Sequence, residues 1–123
     1  MSKCILIVDD HEPIRKIVRH VLESETGFEV CGEAVDGYDA IEKAQQLKPD
    51  LIILDLSMPR MNGLEAAQKL KKMLPQTPIV LFTSYHPALR YFDTLPEGID
   101  AVVAKGGGAS LLLDSLQNLL QEA

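Results

Sequence analysis

Five short apolar runs, each followed by a segment of helical periodicity, constrain the fold of this chain more than any other feature. The runs are rich in isoleucine, valine and leucine and are bounded by turn residues; they cover residues 4–8, 28–32, 51–54, 79–82 and 101–103. Such runs predict strands that are buried on both faces. Parallel strands need a helical crossover, and both faces of their sheet need cover. The pattern therefore predicts an α/β, doubly wound, five-stranded parallel sheet.

The segments after the runs predict five amphipathic helices. Their apolar residues recur at helical spacing over residues 14–22, 40–47, 64–74, 88–95 and 112–120. Pro13 suits the first turn of the first helix, and Pro49 ends the second. A chain of 123 residues is large enough for one core, so we expect a single domain over residues 1–123.

The charge and hydropathy patterns exclude several classes of partner. Eighteen acidic against 12 basic residues give a net charge of -6, which disfavours a polyanionic partner. No apolar stretch approaches the length of a membrane span, and no signal sequence opens the chain. We expect a soluble, cytoplasmic protein that binds neither nucleic acid directly nor a membrane.

The two cysteines do not form a metal-binding motif. Cys4 and Cys31 are 27 positions apart and lack the Cys-x-x-Cys spacing of zinc or redox sites. If Cys4 begins one strand and Cys31 lies near the end of its neighbour, the two thiols are too far apart to bridge. We therefore expect buried free thiols.

Polar side chains follow four of the predicted strands. Asp9 and Asp10 follow the first, Asp55 the third, Thr83 the fourth and Lys105 the fifth. In a sheet of the common order 2-1-3-4-5, strand order reverses between the first and third strands, and ligands bind at that point. Three carboxylates that meet there would repel one another and favour a cation, and an all-oxygen set with room for a phosphate favours Mg2+.

The opposite wall of this predicted site carries a cation and a hydroxyl donor. Lys105 could neutralise the oxygens of a phosphoryl group, and Thr83 could donate to one of them. Asp55 would attack the phosphorus in line. The residue set therefore favours phosphoryl transfer to a carboxylate.

These residues resemble the receiver domains of two-component response regulators. The resemblance rests on Ile7-Val8-Asp9-Asp10, on Asp55 followed by Met58-Pro59 and Gly63, and on Thr83 and Lys105, and it runs from about Lys3 to Leu120. It implies a flavodoxin-like (βα)5 fold with strand order 2-1-3-4-5. It also implies a phosphorylation-dependent switch rather than an enzyme, with self-catalysed phosphotransfer and autodephosphorylation only.

The resemblance assigns a role to each residue of the set. It implies that Asp55 is the phosphoacceptor and that Thr83 and Lys105 contact the phosphoryl group. Asp9, Asp10, Asp55 and the backbone carbonyl of Ser57 would bind Mg2+. The phosphoryl donor would be a sensor histidine kinase or a phosphotransfer protein. Partners, or a second copy in a homodimer, would meet the surface formed by the predicted fourth helix, fifth strand and fifth helix.

Two positions differ from the commoner pattern of that family. Val102 stands where an aromatic residue usually couples to the threonine, and Gly106 stands where proline often follows the lysine. Because a non-proline cis bond costs about 2.5 to 4 kcal/mol, we expect no cis peptide after Lys105. We also expect Tyr85, two residues beyond Thr83, to shield the phosphoryl group partly from water.

Four alternatives compete with this interpretation. Asp10 could simply cap the first helix. A receiver that has lost phosphorylation could act as a docking module, which Val102 would suit. A small phosphatase with Asp55 as nucleophile would need a second acid where the chain has Ser57. A flavin-binding module would need a phosphate-cradling loop after the first strand, where the chain is acidic.

Overall fold

The computed structural model of the protein describes residues 2–84 and 94–120. The predicted fourth helix, over residues 88–95, falls mainly outside these residues, and Tyr85 lies outside them as well. Within the described part, every peptide bond is trans, including the one after Lys105, as expected. None of the helices described is long and apolar enough to span a bilayer.

Strands and helices alternate along the described chain. The elements are β1 (Lys3–Val8), α1 (Glu12–Glu23), β2 (Phe28–Ala34), α2 (Gly37–Leu47), β3 (Leu51–Leu54), α3 (Gly63–Met73), β4 (Ile79–Thr83), β5 (Ala101–Ala104) and α4 (Ala109–Leu120). The helix α4 corresponds to the predicted fifth helix. A short 3-10 turn, Lys105–Gly107, joins β5 to α4.

The five strands form one parallel sheet in the order β2-β1-β3-β4-β5. This confirms the predicted doubly wound, flavodoxin-like topology. The order reverses between β1 and β3, so the carboxyl ends of these two strands lie side by side at the point where α/β proteins bind ligands.

Each face of the sheet carries its own apolar core. Leu6 and Val8 of β1 pack with α2 and α3, whereas Ile5 and Ile7 pack with α1 and α4. All four side chains are at most 1% exposed, because successive residues of a strand point to opposite faces and both faces are covered. Burial of each such side chain stabilises the fold by about 1.5–3 kcal/mol.

The starts of α2 and α3 are fixed by side chains that accept backbone N–H groups. Asp36 accepts from the N–H of Asp39 at 2.8 Å to cap α2, and Asn62 accepts from Glu65 at 3.0 Å to cap α3. The N-cap of α1 is His11, which makes no side-chain cap hydrogen bond. Asp10 is therefore not the cap of this helix.

The prediction that Cys4 and Cys31 are free thiols is wrong, because they form a disulfide with their Cα atoms 5.4 Å apart. The prediction ended the second strand at residue 32, which put Cys31 close to its end. In the structure β2 continues to Ala34, and Cys31 lies in its middle.

A bulge in β2 brings Cys31 beside β1. Ile5 pairs with Val30, whereas the next residue, Leu6, pairs with Gly32, so that Cys31 is an extra residue in the ladder. A bulge disrupts the regular alternation of side chains between the two faces. Strand periodicity alone contains no signal for such an insertion, which explains the wrong prediction.

The disulfide predicts a redox-dependent stability. It closes a loop with a sequence separation of 27. In the chain-entropy model such a loop stabilises by about 3 to 4 kcal/mol, so reduction should lower the free energy of unfolding by that amount. Urea unfolding with and without a phosphine reductant measures the difference.

The matched control is the double variant Cys4→Ser, Cys31→Ser. Its unfolding midpoint should equal that of the reduced wild type and should not respond to reductant. Equal midpoints for the oxidised and reduced wild type would contradict a stabilising cross-link.

Candidate functional site

Backbone hydrogen bonds at the sheet reversal position the acidic residues. The N–H of Asp9 donates to the carbonyl of Ala34 at 3.0 Å, and the N–H of Asp55 donates to the carbonyl of Val8 at 2.9 Å. Both bonds extend the sheet by one residue beyond the strand ends. The two carboxylates therefore project from the same carboxyl edge.

Asp9, Asp10 and Asp55 form an acidic cluster. One oxygen from each carboxylate lies within 4.8 Å of the others. Asp9 is 3% exposed and Asp55 is 6% exposed, whereas Asp10 faces solvent. Because the ligand set contains only carboxylate oxygens, it fits a hard divalent cation such as Mg2+ better than a metal that prefers nitrogen or sulfur.

Lys105 makes ion pairs with two members of the cluster. Its Nζ donates to Asp9 Oδ2 at 2.8 Å and to Asp55 Oδ1 at 3.3 Å, and it lies 5.9 Å from the centroid of the Phe82 ring. Burial alone would lower the pKa of this ammonium, but the hydrogen bond to Asp9 and the charge of Asp55 outweigh burial and raise it. Lys105 is therefore a fixed positive charge in the site.

Asp55 is the member of the cluster whose carboxyl group has a raised pKa. Burial is the main cause that raises the pKa of its carboxyl, and the negative charge of Asp9 adds to it. Lys105 opposes this rise without cancelling it. The ionised form of Asp55 is therefore destabilised, and a bound cation would reduce that destabilisation.

Thr83 and Ser57 complete the set of predicted residues. Thr83 is the last residue of β4, is 1% exposed and pairs in register with Ala104, the residue before Lys105. Ser57 lies in the loop after β3 and is exposed. The structure thus brings Asp9, Asp10, Asp55 and Lys105 into direct proximity and places Thr83 at the same edge of the sheet.

Gly63 allows α3 to begin directly against the Asp55 backbone. A Cβ at Gly63 would lie 2.2 Å from the carbonyl oxygen of Asp55, closer than two such atoms can approach. The Gly63 N–H donates to the carbonyl of Leu56 at 2.8 Å. A residue without a side chain is therefore needed here if the loop that carries Asp55 is to keep its path.

The sequence predictions missed a set of partly buried ion pairs behind the cluster. Arg15 donates from Nη1 to the backbone carbonyl of Asp9 at 2.7 Å and from Nε to Glu33 at 2.9 Å. Arg19 donates to the other carboxylate oxygen of Glu33 at 2.7 Å. The spacing of the two arginines, one helical turn apart, put them on one face, but only the fold shows that Glu33 faces them.

The chain matches the model of the response regulator receiver domain family over residues 5–117. That match covers most of the chain, and the strand order and the acidic cluster agree with it. The chain belongs to the response regulator receiver domain family. It is a receiver domain of a two-component response regulator.

Named relatives support this assignment. The chain is 41% identical over 117 residues to the response regulator protein VraR of Staphylococcus epidermidis, with 95% of this chain and 56% of the relative covered. The chain therefore spans about half the length of such curated relatives.

Solved structures give the same result for the fold. The response regulator domain of Thermotoga maritima CheB superposes with a TM-score of 0.88 at 29% identity, covering 100% of this chain and 99% of that one. The response regulator TrrA of the same organism, solved in complex with Mg(2+)-BeF, gives 0.85 at 33% identity and covers 97% of this chain and 100% of that one.

Because the ionised form of Asp55 is destabilised in the folded protein, we expect Asp55→Asn to stabilise the fold. Without divalent cations at pH 7, the substitution should raise the free energy of unfolding by about 0.5–2 kcal/mol, because it removes a buried like charge beside Asp9. The folded-state pKa of Asp55 is raised, so ionisation works against the fold above that pKa. The gain should shrink as pH falls through it, since the wild-type carboxyl is then protonated. Denaturant unfolding at several pH values measures this.

Asp114→Asn is the matched control, because Asp114 lies exposed on α4, away from the cluster. Its free energy of unfolding should follow the wild type at every pH. A destabilised Asp55→Asn at pH 7 would contradict the electrostatic interpretation of the cluster.

Proposed function

We propose that this receiver domain is a phosphorylation-dependent switch that accepts a phosphoryl group on Asp55 in the presence of Mg2+. The observation that carries the proposal is the position of Asp55, buried beside two further carboxylates and 3.3 Å from the ammonium of Lys105. A carboxylate at the carboxyl edge of the sheet, among charges of both signs, is suited to attack phosphorus and to stabilise the product.

Asp9, Asp10, Asp55 and the backbone carbonyl of Ser57 would hold the magnesium ion. When bound, Mg2+ supplies charge neutralisation for the phosphoryl oxygens and lowers the repulsion among the carboxylates. The TrrA structure in complex with Mg(2+)-BeF supports the choice of ion, because that protein is 33% identical and adopts the same fold.

In the transfer step, an Asp55 oxygen forms a bond to phosphorus while the bond from phosphorus to the donor's imidazole nitrogen breaks. The imidazole keeps the electron pair of that bond. Lys105 exchanges its contact with Asp55 for one with a phosphoryl oxygen, and the Thr83 hydroxyl donates to another. Water later hydrolyses the acyl phosphate, which resets the switch.

The phosphoryl group then shifts a conformational equilibrium. It adds negative charge and acceptor oxygens, so the state in which Thr83 and Lys105 contact it is stabilised relative to the other. Val102 is 7% exposed and packs on the face covered by α2 and α3. Because a valine stands at this position, the switch of this chain would operate without the aromatic rotamer that couples to the threonine in similar domains.

The partners follow from this function. The donor is a sensor histidine kinase or a phosphotransfer protein in the cytoplasm. Residues 1–123 act as one unit, without direct contact with nucleic acid or a membrane. The output surface comprises β5, α4 and the predicted fourth helix, through which a partner or a second copy would bind. In a reducing compartment, Cys4 and Cys31 would be thiols at equilibrium.

Phosphorylation by a small donor tests the proposal. The chain incubated with Mg2+ and acetyl phosphate should gain the mass of one phosphoryl group, and the adduct should be labile. Asp55→Asn should gain none. Omission of Mg2+ should slow the gain at least about tenfold, because the charge stabilisation that a metal ion supplies to phosphoryl oxygens is then missing and the carboxylates repel those oxygens. Time-resolved intact mass spectrometry measures all three.

Lys105→Met tests the role assigned to the ammonium of Lys105. We expect it to be phosphorylated more slowly or to switch less completely, since no ammonium then reaches the phosphoryl oxygens. An unmodified wild type under these conditions would favour a docking module that has lost phosphorylation. Sustained turnover of phosphate monoesters would favour a phosphatase.

A further inference from the structure

Arg15 joins three elements at the back of the acidic cluster. It belongs to α1, its Nε is 2.9 Å from Glu33 of β2, and its Nη1 is 2.7 Å from the carbonyl oxygen of Asp9 after β1. Its side chain is only 12% exposed. A mostly buried guanidinium that donates to two acceptors on different strands is restricted in orientation.

Arg15 donates to the backbone carbonyl oxygen of Asp9, so it can restrict the orientation of the peptide unit that follows Asp9. That oxygen belongs to the peptide unit joining Asp9 to Asp10, and a peptide unit is planar. Its orientation therefore fixes the positions of the N and Cα atoms of Asp10, from which that side chain extends. Asp10 is the exposed member of the cluster, whereas Asp9 is held by three further hydrogen bonds.

Glu33 determines where the guanidinium lies. Its two carboxylate oxygens accept from different arginines, Arg15 at 2.9 Å and Arg19 at 2.7 Å. The raising effect of burial on the pKa of Glu33 is outweighed by Arg19 and Arg15, and the pKa is lowered. Glu33 is therefore ionised and pairs with both arginines, and of the two Arg15 is the one that donates to the carbonyl oxygen of Asp9.

We propose that Arg15, anchored by Glu33, is a positioning residue that holds the Asp9–Asp10 peptide in the orientation required for divalent-cation binding. The inference rests on the proposed function of the same site and adds a residue to it. Arg15 does not touch the cation; it acts through the backbone of Asp9.

The sign of the effect separates positioning from simple electrostatics. Arg15 carries a positive charge, so its removal should strengthen cation binding if charge alone matters. If Arg15 holds the peptide, its removal should weaken binding, because Asp10 then samples other orientations. Loss of a residue that orients metal ligands typically weakens metal binding 10- to 100-fold.

Isothermal titration of the whole chain with Mg2+ tests the proposal. Arg15→Met should weaken Mg2+ binding about tenfold or more relative to wild type. Arg19→Met is the matched control, since Arg19 binds the same Glu33 without reaching Asp9. We expect its Mg2+ affinity to stay within about twofold of wild type, although both variants lose an ion pair with Glu33.

Two further measurements keep the test decisive. Arg15→Lys retains the charge but lacks the forked donors, so we expect its Mg2+ affinity to lie between wild type and Arg15→Met. The Asp10 and His11 amide signals in NMR spectra without Mg2+ should shift or broaden in Arg15→Met and remain unchanged in Arg19→Met. Arg15→Lys serves as the test variant if Arg15→Met does not fold.

The outcomes distinguish the inference from the function on which it rests. Unchanged or tighter Mg2+ binding in Arg15→Met, with a wild type that binds Mg2+, overturns the positioning role alone. Equal weakening in Arg15→Met and Arg19→Met overturns it too, because it points to a general loss of packing. A wild type that binds no Mg2+ overturns the proposed function itself.

Discussion

The burial of carboxylates beside one another is the constraint on which the rest of this molecule depends. The fold concentrates Asp9, Asp10 and Asp55 at one edge and buries two of them, which would be unfavourable without compensation. Lys105 supplies part of that compensation by pairing with Asp9 and Asp55. The remaining unfavourable interaction, which raises the pKa of Asp55, would be reduced by a bound cation.

The scaffold holds this unfavourable arrangement in place at several points. Apolar cores on both faces fix β1 and β3 side by side, and Gly63 lets α3 begin against the backbone of Asp55. Arg15 secures the peptide that leads to Asp10. Rigid support matters because each carboxylate would otherwise turn away from its neighbours, and the site would lose the preorganisation that charge stabilisation requires.

Sequence periodicity predicted the sheet well because buried apolar strands alternate with amphipathic helices along the described chain. The prediction of the acidic cluster needed in addition the strand order 2-1-3-4-5, because residues that follow neighbouring parallel strands lie at one edge. The disulfide depended instead on an inserted residue in β2, which shifts the register between Ile5 and Leu6. No local sequence pattern predicts such a shift.

Arg15 was missed for a different reason. Arg15 and Glu33 are 18 positions apart, and the contact with Asp9 involves a backbone carbonyl. A backbone acceptor has no residue type, so neither motif nor spacing can indicate it. Side chains that act through the backbone are found only once the packing of α1 against β1 and β2 is known.

A structure of the chain crystallised with Mn2+, located by its anomalous scattering, tests the central claim most directly. Mn2+ shares the oxygen preference of Mg2+ and is visible in such an experiment. We predict one strong peak at the sheet reversal, with oxygens of Asp9, Asp10 and Asp55 among its ligands. Clear density for the three side chains with no ion between them, or an ion bound elsewhere on the surface, would contradict it.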